Sequence, residues 1–588
     1  MSASKPQASG KVRIQPSLNK SEEEFVARRR NSVLQSLKKL QIQCSKDEVP
    51  NIALLGSGGG QRAMVGLLGS LVQLQKTSSL LDCVLYLSGV SGSTWCLASL
   101  YQEPDWSTKL ESVKDKIIQR LGGPAVSWGD ALAKLKKYYN GKDFFSLTDV
   151  WAVMVITAYV KEIDEHTLKE QWDQRSKDPF PIYTVIDKQC KQRKSGDPWF
   201  EITPHEAGYS LTGAFVDASS FGSQFQKGSK KNKQDEFDML YLQALCGSAL
   251  ADEDEIKKLL WQKIKDFFQQ KEKILEEMRK EQDKRRQEEL RRERGTGSGK
   301  DFVVGLKLGP PEALLHRISE RSQPDPNSAA TDECYQLLMN TVDMNLSVST
   351  ALDESIRTTL NDLSGGILKT ADKKAEELNE KCHTMDAYNN LREQINVWPF
   401  DAWMNIIKCM DLWIWGRNYN FLHKMTGEAV HSTLLESKTR DFEDAGLLLN
   451  SPYFSVLRKE RNIDLIISLD FSDGDPFMTV KDAAKMCRER NIPFPEVIIP
   501  SEDSEKPKDF YVFKGQNVPT VIHIPLFNVV NCGDKIEDWS NKYRTFQLPL
   551  SAEMITDLME VAEQNITNNK AKVVEEIRAI IEQKRSRH

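Results

Sequence analysis

Apolar residues along this chain gather into short runs that alternate with stretches of helical spacing. NIALL at 51–55 and CVLYL at 83–87 are each long enough for a buried strand. Glycines follow each run, and the apolar positions then change period: Met64, Leu67, Leu68, Leu71 and Leu74 after the first, and 94–101 after the second. The pattern predicts strand, sharp turn and helix twice in succession. Later runs predict two more strands, at 463–471 (IDLIISLDF) and 519–525 (PTVIHIP), with a helix over 476–490 that has Pro476 in its first turn, and C-terminal helices over 552–584. A helix over 21–40 is predicted from Ser21 and Glu24, spaced as a capping box, and from Val26, Val33, Leu37 and Leu40. Residues 106–121, 131–139 and 329–381 also have helical spacing. The segment 147–160 (LTDVWAVMVITAYV) is strongly apolar but too short to span a bilayer, which predicts a buried helix. Four of the twelve tryptophans fall in 398–421. A lipid-facing rim and a core helix are equally good readings of that stretch.

Charge and composition narrow the class. The net charge of −5 over 588 residues gives no global attraction to nucleic acid or to an acidic membrane. Ten cysteines occur without a CxxC pair, and no signal peptide or long uncharged apolar run is present, so a cytosolic protein with reduced thiols is expected. In 271–294, eighteen of twenty-four residues are charged, with Glu276/Lys280, Glu281/Arg285 and Glu288/Arg292 as favourable i,i+4 pairs; this predicts an exposed, ion-paired helix. A glycine-rich break at 295–299 and Pro-Asp-Pro-Asn at 324–327 follow, and suggest an insertion that is either a mobile lid or simply disordered. The basic cluster 28–30 is read as a solvated helix face ahead of a membrane-facing patch. His205 is read as structural rather than catalytic.

Candidate chemistry lies in the two glycine turns. The first is Gly56-Ser57-Gly58-Gly59-Gly60, followed by Arg62; the second is Gly89-Val90-Ser91-Gly92-Ser93. A phosphate-binding P-loop needs Gly-Lys-Ser/Thr, and here Gln61-Arg62 follow Gly60; a dinucleotide fingerprint needs glycine where Gln61 stands. Backbone N–H groups at a helix start suit negative charge. Ser91, between a strand and a helix, has the setting of a nucleophile elbow, although Ser93 replaces the last glycine of G-x-S-x-G. An oxyanion hole beside a nucleophilic serine fits the two turns best.

LGSGGGQRAM followed by LSGVSGSTW resembles the cytosolic phospholipase A2 family, and so do 203–228 (TPHEAGYSLTGAFVDASSFGSQFQKG), 442–452 (FEDAGLLLNSP) and 464–477 (DLIISLDFSDGDPF). The resemblance runs from about 21 to 580 and is greatest to the gamma type. It implies an α/β fold, an α/β-hydrolase-like three-layer core with a central mixed sheet, a nucleophile elbow and a large, mostly helical inserted cap. It implies Ser91 and Asp444 as a catalytic dyad, Gly58, Gly59 and Gly60 as oxyanion donors, and Arg62 as a ligand of the lipid phosphate, with no metal and no cofactor. The expected partners are glycerophospholipid and lysophospholipid substrates, met through reversible peripheral membrane contact. Neither an N-terminal calcium-binding module nor an EF-hand loop is evident, so calcium-independent activity is expected; the ending KRSRH carries no CaaX signal. The expected organisation is a disordered tail over 1–20, one catalytic domain over 21–580 with a cap at about 180–435 and a charged insert at about 229–330, and a basic tail over 581–588. Two other readings stay open: a predominantly lysophospholipase or acyltransferase enzyme, and a non-catalytic membrane lipid-binding module.

Overall fold

The structure, a computed structural model, describes residues 10–76, 80–172, 176–248 and 412–586 apart from 427–429 and 546, with scattered positions between 402 and 409. The chain divides into two units, 1–253 with 413–588 and 254–412. The expectations for 271–294, 295–299, 324–327 and 329–381, and those for Trp398 and Trp403, lie outside the described residues.

Among the described residues a twelve-stranded mixed sheet forms the first unit's centre, in the order β1 (Arg13–Ile14), β7 (Ala214–Asp217), β6 (Glu206–Tyr209), β5 (Trp199–Ile202), β4 (Phe180–Asp187), β3 (Tyr86–Gly89), β2 (Ile52–Gly56), β12 (Leu465–Asp470), β14 (Thr520–Pro525) and β13 (Tyr511–Phe513), with β11 (Thr439–Asp444) added to β4 and β10 (Arg417–Tyr419) to β11. Its parallel heart is β14 (Thr520–Pro525), β12 (Leu465–Asp470), β2 (Ile52–Gly56), β3 (Tyr86–Gly89) and β4 (Phe180–Asp187). Every residue of β2, β3, β4 and β12 is buried, which is why 51–55, 83–87 and 463–471 read as apolar runs. β5 (Trp199–Ile202), β6 (Glu206–Tyr209) and β7 (Ala214–Asp217) extend the sheet as an antiparallel meander. Helices α2 (Gly60–Lys76) and α3 (Gly92–Tyr101) follow β2 and β3 directly, as the change of period predicts. Gly69 of α2 lets the 34-residue C-terminal helix (Ala552–Arg585) lie close, since a methyl there would be 3.0 Å from the Met559 carbonyl.

Several expectations need correction. The strand predicted over 83–87 begins three residues later, because 80–83 form a 3-10 turn. The cap cannot start at 180, because β4 to β7 belong to the central sheet. Within the expected tail, β1 (Arg13–Ile14) pairs with β7, and Arg13 Nη2 donates to Glu206 at 2.6 Å. At the other end the last helix runs on to Arg585, where Lys584 Nζ meets Asp464 at 2.6 Å and Arg585 Nε meets Glu48 at 3.0 Å. Helix α1 (Lys20–Lys39) is capped by Asn19, whose side chain accepts from the Ser21 N–H at 2.9 Å, not by Ser21. The cluster at 28–30 is not a uniform surface patch: Arg29 is buried and its Nε donates to the Val84 carbonyl at 2.7 Å. The 147–160 segment is buried as expected, with a π-helical turn at Ala152–Ile156 that the spacing did not foretell. Trp415 is fully buried against Trp151, so at that position the core reading holds.

Candidate active site

Sheet register brings Ser91 and Asp444 together. β3 lies along one edge of β4 and ends with Gly89 opposite Tyr183. Beyond that point β11 (Thr439–Asp444) takes over the same edge, antiparallel, with Asp444 opposite Val185. Ser91 is two residues past Gly89, and Val185 is two residues past Tyr183. The serine turn is thus delivered to where β11 ends. Ser91 itself has φ 52° and ψ −123°, a strained conformation for a non-glycine residue, and stands at the head of α3. This is the strand–turn–helix geometry of a nucleophile elbow, with the Ser91 side chain buried. Thr184 Oγ1 holds the Gly89 carbonyl at 2.7 Å and fixes the strand end from which the turn springs.

The two glycine turns are bolted to each other. Val90 N–H donates to the Gly56 carbonyl at 3.1 Å, and Ser93 Oγ donates to the Ser57 carbonyl at 2.6 Å. Ser93, the departure from G-x-S-x-G, therefore has a job that glycine could not do. Gly92 is required by contact: a Cβ there would lie 1.8 Å from the Gly60 carbonyl oxygen. Gly60 in turn has φ +56° and starts α2. Of the three expected oxyanion donors, the structure frees two. The Gly58 N–H is bonded to the Asn450 carbonyl at 3.1 Å and is not a free donor. The N–H groups of Gly59 and Gly60 have no hydrogen bond among the described residues. Asn450, quoted within the FEDAGLLLNSP stretch but given no role, also sends its Nδ2 to the Gly58 carbonyl at 3.1 Å.

Arg62 is tied into the wall of the glycine turn. Its Nε donates to the Phe471 carbonyl at 2.8 Å, its Nη2 to Thr545 Oγ1 at 3.1 Å and its Nη1 to the Tyr543 carbonyl, with Asp473 3.6 Å away. The side chain is buried, and each of its three nitrogens makes one hydrogen bond to these two loops. Nη2 nevertheless lies beside the glycine turn, 2.9 Å from where a Gly59 Cβ would be.

Asp444 is fully buried, and loss of solvent pushes its pKa up to about 7. The Gly446 N–H, 2.8 Å from Oδ1, and the nearby Ser91 hydroxyl pull it the other way, while Glu443 adds to the rise. Ser91 is close enough to be felt by the carboxylate, yet neither Ser91 Oγ nor Asp444 Oδ2 makes a hydrogen bond of ordinary geometry among the described residues. Such contacts are often long before substrate binds. His205, as expected, is a packing residue: its ring stacks on Phe180 at 5.7 Å.

A nucleophile elbow, two free N–H donors and a buried carboxylate of raised pKa are the parts of a serine acyl hydrolase. The family profile described as lysophospholipase catalytic domain matches residues 52–289. The chain is similar to cytosolic phospholipase A2 gamma of Mus musculus, 33% identical over 588 residues, covering 96% of this chain and 91% of that protein. It is likewise similar to cytosolic phospholipase A2 gamma of Homo sapiens, 32% identical over 583 residues, covering 97% and 96%. The solved structure of human GIVD cytosolic phospholipase A2 matches with a TM-score of 0.63 at 19% identity, over 98% of this chain and 66% of that one, which supports the fold. Site and kinship agree: the chain belongs to the cytosolic phospholipase A2 family and is a lipid-ester hydrolase.

Proposed function

We propose that this enzyme hydrolyses the sn-2 ester of glycerophospholipids with a Ser91–Asp444 dyad, without calcium, releasing a fatty acid and a lysophospholipid. The observation that carries the reading is Ser91 at a strained elbow, its Oγ without a competing bond, beside a buried Asp444 whose pKa is pushed up to about 7. Ser91 Oγ attacks the ester carbonyl carbon as its proton passes to Asp444. The negative oxygen of the tetrahedral intermediate takes the N–H groups of Gly59 and Gly60. As the C–O bond breaks, Asp444 returns the proton to the leaving lysophospholipid oxygen. Water then attacks the acyl-serine, gives its proton to Asp444, and the fatty acid departs as Ser91 recovers its proton. A raised pKa suits Asp444 to both directions of transfer near neutral pH, so no histidine is required. Arg62 contributes from behind the glycine turn, as a buried cation that anchors it. A lysophospholipid that replaces water at the acyl-serine gives transacylation. The enzyme works in the cytosol, as the names of its relatives suggest, and meets membranes reversibly through its surface.

The test is fatty-acid release from mixed phospholipid–detergent micelles in excess chelator, for wild type and Ser91→Ala, with circular dichroism to confirm folding. Wild type should turn over, and Ser91→Ala should lose about 10⁴-fold or more. Wild-type turnover in Ser91→Ala would overturn the dyad. Lipid binding without turnover in either protein would support a binding module instead. The name of the matching family profile favours a second reading, in which lysophospholipid is the better substrate; comparing kcat/KM for the two lipids in the same assay decides it.

A further inference from the structure

Asn450 occupies the junction of three loops, and its bonds bear on an atom that the proposed chemistry uses. Its main-chain carbonyl accepts the Gly58 N–H at 3.1 Å, and its Nδ2 donates back to the Gly58 carbonyl at 3.1 Å. One residue therefore grips Gly58 from both sides. The same Nδ2 donates to Ser472 Oγ at 2.8 Å. Ser472 follows Phe471, whose carbonyl holds Arg62. Asn450 Oδ1 is packed tightly: a Cβ on Gly58 would lie 2.3 Å from it, and one on Gly446 would lie 2.8 Å from it. Gly446 is the residue whose N–H bonds Asp444 Oδ1.

The Gly58 carbonyl and the Gly59 N–H belong to one peptide plane. In a trans peptide they point in opposite directions and cannot turn independently. An amide that holds the carbonyl therefore aims the N–H. We propose that Asn450 is a positioning residue of this enzyme: by fixing the Gly58–Gly59 peptide plane it points the Gly59 N–H at the position of the oxyanion, and by packing against Gly446 it keeps that donor in register with Asp444. The proposal rests on the Ser91–Asp444 reading. It also accounts for Gly58 remaining in the loop although its own N–H is occupied. Gly58 is the handle by which the donor is held.

Two substitutions separate this role from ordinary packing. Asn450→Ala removes the side-chain amide and leaves the main-chain carbonyl. Asn450→Asp keeps the shape and replaces the N–H donor with an oxygen that repels the Gly58 carbonyl. Each is measured for kcat and KM on phospholipid in mixed micelles, for the midpoint of the pH–rate profile, and for melting temperature, with Ser91→Ala as the control. The expected result for Asn450→Ala is a fall in kcat of about 10²–10³, the size of a lost oxyanion donor, with KM within threefold and the pH midpoint unmoved. Asn450→Asp should fall at least as far. A lowered melting temperature with kcat within threefold of wild type would overturn the proposal, and so would a rise in KM that accounts for the whole loss. If Asn450→Ala fails to fold, the isosteric Asn450→Asp alone decides, by the same kcat criterion. A fully active Ser91→Ala would mean that the dyad reading itself had failed; an inert Ser91→Ala beside a normal Asn450 pair would sink only the role of Asn450.

Discussion

Two carboxylates flank adjacent residues of β4 from opposite edges. Asp444 lies opposite Val185, and Glu201 lies opposite Thr184. Both are fully buried. Burial alone would raise both pKa values, yet only one rises. Glu201 accepts from Arg458 Nη1 at 2.7 Å, from Arg461 Nη1 at 2.9 Å and Nη2 at 2.8 Å, and from Ser210 Oγ at 2.8 Å. Against its desolvation, those two guanidinium groups hold its pKa below the ordinary value. Arg461 also binds Glu22 of α1 at 2.9 Å, so the cluster ties the first helix to the sheet. Asp444 has no cation, one backbone N–H on Oδ1 and an Oδ2 without a partner among the described residues. Equal burial thus yields a fastener at one edge of the strand and the proposed proton acceptor at the other, and the partners decide which.

The strongest way to break this comparison is to neutralise each carboxylate in turn. Asp444→Asn should cost about 10²–10⁴ in turnover, the usual span for a general base. It should also raise the melting temperature at pH 7.5. The sign follows from linkage: the folded pKa of about 7 exceeds the ordinary 3.8, so stability falls as pH rises from about 4 to about 7 and the full cost remains above that. Glu201→Gln should do the reverse. Its folded pKa is lowered, so its stabilisation is present above the ordinary 4.5 and is lost as pH falls through the folded value. At pH 7.5 the substitution leaves two buried guanidinium groups short of charge, and about 3–5 kcal/mol of stability should go, while kcat per folded molecule changes little. Denaturant unfolding of both variants at pH 5 and pH 7.5 checks the signs; two variants that shift the same way would break the contrast.

A smaller effect is expected at Gly92. The methyl of Gly92→Ala would meet the Gly60 carbonyl at 1.8 Å and push the two turns apart. Turnover should fall by about 10²–10³ as the Gly59 and Gly60 donors shift, and a steady-state assay beside a melting curve will tell that from unfolding. The smallest effect is pH. With a base whose pKa is about 7, kcat/KM should climb about tenfold between pH 6 and pH 8 and then level off. A flat profile down to pH 5 would place Asp444 among the fasteners.

Much of this could be read from the chain before any coordinates. Strands β2, β12 and β14 and helices α2 and α3 were legible because buried parallel strands and amphipathic helices write plain periods into sequence. Ser91 was legible from its turn, and Asp444 only from family resemblance, since an aspartate gains meaning from register with a distant strand. The span of β4 to β7 reads as part of the cap from sequence because nothing local says which sheet a strand joins. The commitments of Arg62 and Gly58 were hidden for the same reason: their partners, Phe471, Tyr543 and Asn450, lie roughly 400 residues or more away in sequence. The departure at Ser93 looked like a weakness in the motif, and its bond to Ser57 shows the opposite.

The way β11 completes β4 has a consequence for synthesis. About 250 residues separate Asp187 from Thr439. Translation at about 5–20 residues per second leaves the far half of β4 with one bare edge for on the order of 10–50 s. Those residues, Val185 to Asp187, are fully buried in the finished protein, and their unpaired backbone N–H and C=O groups are a template for pairing with the wrong chain while they wait. The strand that carries the proposed base is thus also the strand that covers the far half of β4, and that edge stays open until Thr439–Asp444 has been made.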